Sequence, residues 1–127
     1  MDNYVPINLS YDLYESTEGS DPNLTPVVLV HGLASERKTW KLTAPIIAEK
    51  SRRKVYAYDA RNYGDSEYTD EFSFSLNVDD LFHFMNVVNL PKAVLFGHSM
   101  GASTVAYAAL KKVKIHYIYS SNVHHDK

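Results

Sequence analysis

The chain has 127 residues, with 13 Lys and Arg against 15 Asp and Glu for a net charge of -2, and is 45% hydrophobic and 22% charged. This is the composition of one globular domain able to bury a core without staples, and it excludes a disordered or fibrous protein. The absence of cysteine removes disulfide frameworks, Cys-based zinc sites and thiol nucleophiles. The balanced charge, with Arg52, Arg53 and Lys54 as the basic run, argues against a nucleic-acid partner.

No apolar stretch approaches the roughly 20 residues of a membrane span, so a soluble chain without a transmembrane segment is expected. The start, Met1 to Pro6, lacks the basic and apolar regions of a secretory signal and the Arg-rich character of a transit peptide.

Val5, Ile7, Leu9, Tyr11 and Leu13 alternate with mostly polar neighbours, which predicts a half-buried strand. A turn cluster over Glu18 to Asn23 ends it. Val27 to Val30 reads as a central strand buried on both faces, running into His31-Gly32. Trp40, Leu42, Ile46 and Ile47 fall near helical spacing, with Thr39 as a cap and Pro45 in an early turn. Val55 to Tyr58 predicts a second central strand closed by Asp59, and the polar stretch Arg61 to Asp70 a loop.

Val78, Leu81, Phe82, Met85 and Val88 recur at three- and four-residue steps. They predict an amphipathic helix from Ser75 onward, with Ser73 or Ser75 as cap. Ala93 to Phe96 reads as a third buried strand, followed by Gly97-His98-Ser99-Met100-Gly101 and an Ala-rich helix over Met100 to Lys112. Val113, Ile115, Tyr117 and Tyr119 alternate as one more strand. The alternation of strands and helices predicts an α/β fold with a mostly parallel, doubly wound sheet.

Gly97-x-Ser99-x-Gly101 is the strongest signal, and a chance occurrence in a chain this long has odds of roughly 4%. It lies where a buried strand turns into a helix, a turn so sharp that the serine takes a strained backbone while the glycines relieve crowding. The hydroxyl is then held up at the C-terminal edge of the sheet. His31-Gly32-Leu33 follows an earlier buried strand, so its loop should sit at the same edge. Backbone N–H groups of Leu33 and Met100 are candidates for an oxyanion hole around a Ser99 nucleophile. Trp40 and Tyr63 lie in loops at this edge and could line an acyl pocket, although ordinary packing accounts for either equally well.

Val28 to Leu33, Asp59 to Ser66, and Gly97 to Gly101 together resemble the α/β-hydrolase superfamily. The second and third runs resemble, more narrowly, the abhydrolase domain-containing protein 11 group of sn-1-specific diacylglycerol lipases and short-chain esterases. The resemblance implies ester hydrolysis through an acyl-enzyme on Ser99, a small ester or acylglycerol substrate, and no metal or organic cofactor. It gives Asp59 and Arg61 a structural role, and a strand-end salt bridge and turn is the expectation for them. It also suggests mitochondria, whereas the N-terminus carries no transit signal, so cytoplasm and mitochondrion stand as equal expectations.

In this superfamily the order along the chain is Ser, then Asp or Glu, then His. After Ser99 come His116, His124 and His125, with Asp126 following all of them, so the order does not fit. His98 should point away from its neighbour Ser99, while His31 and His83 belong to the oxyanion loop and the amphipathic helix. The expectation is a single partial domain over 1–127, truncated after the elbow helix, with a family-like core over about 7–112 and a divergent tail over 113–127. Such a chain would hydrolyse poorly alone. Two alternatives stay open: a non-catalytic fragment binding acyl ligands or a protein partner at an incomplete sheet edge, and a thioesterase or acyltransferase on the same fold. Ser99 argues against dehalogenases and epoxide hydrolases, which place Asp there.

Overall fold

The computed structural model describes residues 3–111 and the backbone of residues 115–121. The strands are β1 (Tyr11–Tyr14), β2 (Val27–Val30), β3 (Val55–Tyr58), β4 (Ala93–His98) and β5 (Ile115–Ser121). The helices are α1 (Ala44–Ser51), α2 (Phe74–Val87) and α3 (Met100–Lys111), and a 3-10 turn covers Arg37–Trp40. The sheet has the order β1-β3-β2-β4-β5, antiparallel at β1 against β3 and parallel elsewhere. Each βα crossover therefore delivers its helix N-terminus to one edge of the sheet, beyond the C-terminal ends of β2, β3 and β4.

β2 and β3 are buried at every position, because the chain covers both faces of the sheet there. On one face Val28, Val30, Tyr56 and Tyr58 pack with Val78, Leu81, Phe84 and Met85 of α2 and Val105 and Ala108 of α3. On the other, Val27, Leu29, Val55 and Ala57 meet Trp40 and the small α1 residues Ala44 and Ala48. β4 departs from the expected two-sided burial. Ala93, Leu95 and Gly97 are buried while Val94, Phe96 and His98 are only half-covered, since α1 packs across β3 rather than β4.

Three local expectations change. The predicted strand over 5–13 forms a ladder only at 11–14. Residues 8 to 10 instead bond the loop after β3: Asn8 O accepts from Glu67 N at 3.1 Å, Ser10 O accepts from Asp59 N at 2.9 Å, and Ser10 N donates to Ser66 Oγ at 2.9 Å. The helix read across Trp40 to Ile47 is two elements. Thr39 lies inside the 3-10 turn and Thr43 is the N-cap of α1, while Leu42 and Ile46 are exposed. α2 begins at Phe74, with Ser73 Oγ accepting from Leu76 N at 3.1 Å, so Ser73 rather than Ser75 caps it. The predicted strand after α3 is found at Ile115–Ser121, pairing in parallel with β4, while Val113 lies outside the described residues.

Candidate active site

Ser99 sits between β4 and α3 with φ 55°, in the left-handed region that costs an L-residue about 1–2 kcal/mol. The flanking glycines make this turn possible. A Cβ on Gly97 would collide with the Gly101 carbonyl, and one on Gly101 would collide with the Val30 carbonyl at the end of β2. β4, α3 and β2 thus touch backbone to backbone around an exposed serine. The carbonyl of Ser99 opens the helix, accepting from Ala102 N at 2.9 Å and Ser103 N at 3.3 Å.

The β2 loop meets the elbow at Gly32, where a Cβ would lie 3.0 Å from Ser99 Cβ, 3.1 Å from His98 O and 3.2 Å from His98 Nδ1. His31 holds this loop. Its ring is fully buried, with Nε2 accepting from Ala60 N at 2.9 Å and Nδ1 lying 2.8 Å from Gly32 O. Because Nε2 accepts, the ring proton is on Nδ1 and donates to the Gly32 carbonyl. The Gly32–Leu33 peptide is trans, so fixing its carbonyl sends the Leu33 N–H the opposite way. Burial pushes the His31 pKa below its ordinary value, which keeps the ring neutral and this tautomer intact. Met100 opens α3, and the first N–H groups of a helix have no partner within it. Leu33, in the loop after β2, and Met100, the first residue of α3, line one cleft with Ser99, and each carries a backbone N–H. Such a pair can stabilise an oxyanion where it develops.

Asp59 and Arg61, expected in a strand-end salt bridge and turn, each form an ion pair, Asp59 with Arg37 and Arg61 with Asp80. The buried Asp59 carboxylate accepts from Arg37 N at 2.6 Å, from the Arg37 guanidinium, and from Asp65 N at 2.9 Å. It ties the loop after β2 to the loop after β3. Arg61 turns into the core, where Nε and Nη2 bind the two oxygens of Asp80 on α2 at 2.9 and 3.0 Å, with side chains 3% and 2% exposed. The Tyr4 hydroxyl donates to the same carboxylate at 2.6 Å. Both acids are consumed by structure, which agrees with the role the resemblance gave to Asp59 and Arg61.

A cleft of about 460 Å³ opens over Ser99, lined by Leu33, Phe72, Phe74, Ser99, Met100 and Ser103. Trp40 and Tyr63 stand outside it. Trp40 is buried on the α1 face, edge-on to Phe96 with ring centroids 5.6 Å apart. Tyr63 packs edge-on to His31 at 5.2 Å. Sequence reasoning missed Phe72 and Phe74. Their one signal is position, flanking the Ser73 cap of a helix that must start at this edge. Among the described residues no group of three His, Cys, Asp or Glu is arranged to hold a metal, and no helix is long and apolar enough to cross a membrane. His116 lies on β5, and His124, His125 and Asp126 lie outside the described residues.

A left-handed serine between glycines at the strand–helix turn, beside a tautomer-locked His-Gly loop, is the architecture of an α/β-hydrolase. The family described as "Alpha/beta hydrolase family" matches residues 27–123, and the chain belongs to it. An abhydrolase domain-containing protein of Schizosaccharomyces pombe is 38% identical over 106 residues, covering 84% of this chain and 38% of that protein. The sn-1-specific diacylglycerol lipase ABHD11 of Danio rerio is 33% identical, covering 84% and 32%. Ethanol acetyltransferase 1 of Cyberlindnera fabianii is 31% identical, covering 83% and 33%. The chain thus spans about a third of the length of the curated relatives it matches. Among solved structures, a marine microorganism esterase superposes with a TM-score of 0.79 at 25% identity, over 90% of this chain and 41% of the other. The epoxide hydrolase CorEH, at 0.80 and 23% identity, shares the fold.

Proposed function

We propose that this chain serves a serine carboxylic ester hydrolase acting on acylglycerols or other small esters through an acyl-enzyme on Ser99. The observation that carries the reading is the exposed Ser99 hydroxyl at φ 55°, beside the Leu33 and Met100 backbone donors. Ser99 Oγ attacks the ester carbonyl and the two N–H groups receive the developing oxyanion. The alcohol then leaves with a proton, and water releases the acid and restores the serine. The names of the diacylglycerol lipase and esterase relatives support an ester as substrate.

The same proposal holds that the 127 residues by themselves turn over slowly, because among the described residues no histidine hydrogen-bonds the Ser99 hydroxyl, and His31 and His83 have other duties. Both nitrogens of His31 are engaged, and His83 stacks edge-on to Tyr4 from α2. Oxyanion stabilisation without a base leaves about 10³ to 10⁴ over the uncatalysed rate. Purified chain incubated with p-nitrophenyl acetate and butyrate should release product slowly, and Ser99→Ala should remove that release. Equal rates in both proteins would sink the nucleophile assignment, and a turnover of about 1 s⁻¹ or more would sink the slow-turnover part.

Acyl transfer to an alcohol is a second reading, supported by the likeness to ethanol acetyltransferase 1. The same acyl-enzyme would pass its acyl group to ethanol instead of water. Ethyl ester accumulating in the assay when ethanol is added separates the two.

A further inference from the structure

At the sheet edge opposite Ser99, a cavity of about 750 Å³ opens where three segments meet. Its walls are the turn before β2 (Ser20 to Pro26), Lys54 and Tyr56 at the start of β3, and the stretch between α2 and β4 (Val88 to Lys92). Main-chain bonds tie these walls together. Asp21 N donates to Arg52 O at 2.7 Å, Val27 N to Lys54 O at 2.8 Å, and Val94 N to Pro26 O at 2.8 Å. Arg53 Nη1 adds a bond to Thr25 O at 2.7 Å, and Pro22, Pro26 and Pro91 in the lining each fix a backbone torsion. The cavity is therefore formed before any ligand enters, and the Ser99 chemistry makes no use of it.

Its lining defines the occupant. The floor is apolar, with Tyr56 and Leu90 6% and 8% exposed and Leu24 and Val88 beside them. The Tyr56 hydroxyl has no hydrogen-bond partner among the described residues, yet the unpartnered side-chain atoms sealed from solvent belong to Trp40 and Asn77. That hydroxyl thus reaches open space. Burial raises its pKa above the ordinary value, so it keeps its proton and can donate. At the rim, Lys54 and Lys92 are exposed and stand in no ion pair among the described residues. Asp21 brings a carboxylate to the lining, and its Oδ1 already accepts from Asn23 N at 2.9 Å. Two ammonium groups against one carboxylate leave a single positive charge.

We propose that this cavity binds an amphipathic carboxylate, its acid group met by Lys54, Lys92 and the Tyr56 hydroxyl and its apolar body laid against Leu24, Val88 and Leu90. A monoanion matches the single positive charge, and apolar walls favour burial of its methylenes. The volume of about 750 Å³ lies in the range of small-ligand sites, about 300–1,000 Å³. The cavity adjoins the N-terminal ends of β2, β3 and β4, whereas Ser99 follows the C-terminal end of β4. Acid and ester therefore do not compete, and binding here is independent of what Ser99 does.

Sodium octanoate, octanol and sodium acetate titrated into the 127-residue chain, with backbone and tyrosine-ring signals followed by NMR, provide the test. Octanoate should shift Tyr56 and Val88 to Lys92 saturably. It should bind about fivefold or more tightly than octanol, which lacks the charge, and than acetate, which lacks the apolar body. The double variant Lys54→Gln with Lys92→Gln should weaken octanoate about tenfold and leave octanol unchanged, and since neither lysine has an ion-pair partner to lose, its thermal melt should match the native one. Tyr56→Phe should weaken octanoate about threefold. Equal affinities for octanoate and octanol, shifts confined to Leu33, Phe72 and Ser99, or undiminished octanoate binding in the double variant would overturn the site.

Discussion

Gly32 and Ser99 approach so closely that a Cβ built on Gly32 would lie 3.0 Å from Ser99 Cβ, with the His98 carbonyl 3.1 Å away on the adjoining side. The loop after β2 and the turn after β4 are therefore one packed unit. Gly32→Ala is expected to cost about 1–3 kcal/mol, since a backbone carbonyl cannot move aside as a flexible side chain can. It should also slow Ser99-dependent ester release. Urea unfolding and a p-nitrophenyl butyrate assay check both effects, and an unchanged midpoint would show that the loop moves freely.

The His31 ring should make stability depend on pH. Burial lowers its pKa in the folded chain, so between that value and the ordinary 6.5 or so the unfolded chain binds more protons. Stability from this group is fully present above about pH 6.5 and falls as the solution is acidified through that window. In His31→Ala the slope should shrink. Losing the ring leaves Ala60 N–H and Gly32 C=O without their partners, at about 1–3 kcal/mol for each buried group. Denaturation midpoints of both proteins between pH 5 and 8 provide the measurement.

Ser99 pays for its function in backbone strain. A glycine there accepts φ 55° without a Cβ penalty, so Ser99→Gly should raise stability by about 1 kcal/mol while removing ester release. A thermal melt read beside the activity assay would show whether the two move in opposite directions.

Arg61 and Asp80 form an ion pair with both side chains almost fully buried. Breaking it from one side should cost about 3–5 kcal/mol, because the remaining charge is stranded in the core. Arg61→Met and Asp80→Leu are each expected to be strongly destabilising. The double variant should recover a large part of the loss, although the Tyr4 hydroxyl, which donates to Asp80 at 2.6 Å, would lose its acceptor. A double-mutant cycle by denaturant titration measures this, and additive losses would contradict it.

Local pattern alone determined the βα succession and the sharp turn at Ser99. Four apolar residues bounded by turn signals make a buried strand, and Gly97-x-Ser99-x-Gly101 after such a strand leaves little steric choice but the elbow. Ser73 as cap and the α2 face through Val78, Leu81 and Met85 were legible for the same reason, since the interactions span three or four residues. The tertiary structure decided what depends on distant partners. Asp59 finds Arg37, 22 residues back, and Arg61 finds Asp80, 19 residues on, because the order β1-β3-β2-β4-β5 sets which loops adjoin. A charge in sequence has many eligible partners, and only strand order removes all but one. The same holds for the cleft. Trp40 left it for the α1 face and Phe72 and Phe74 entered it, since a helix start at the sheet edge, rather than residue type, fixes which aromatics stand beside Ser99.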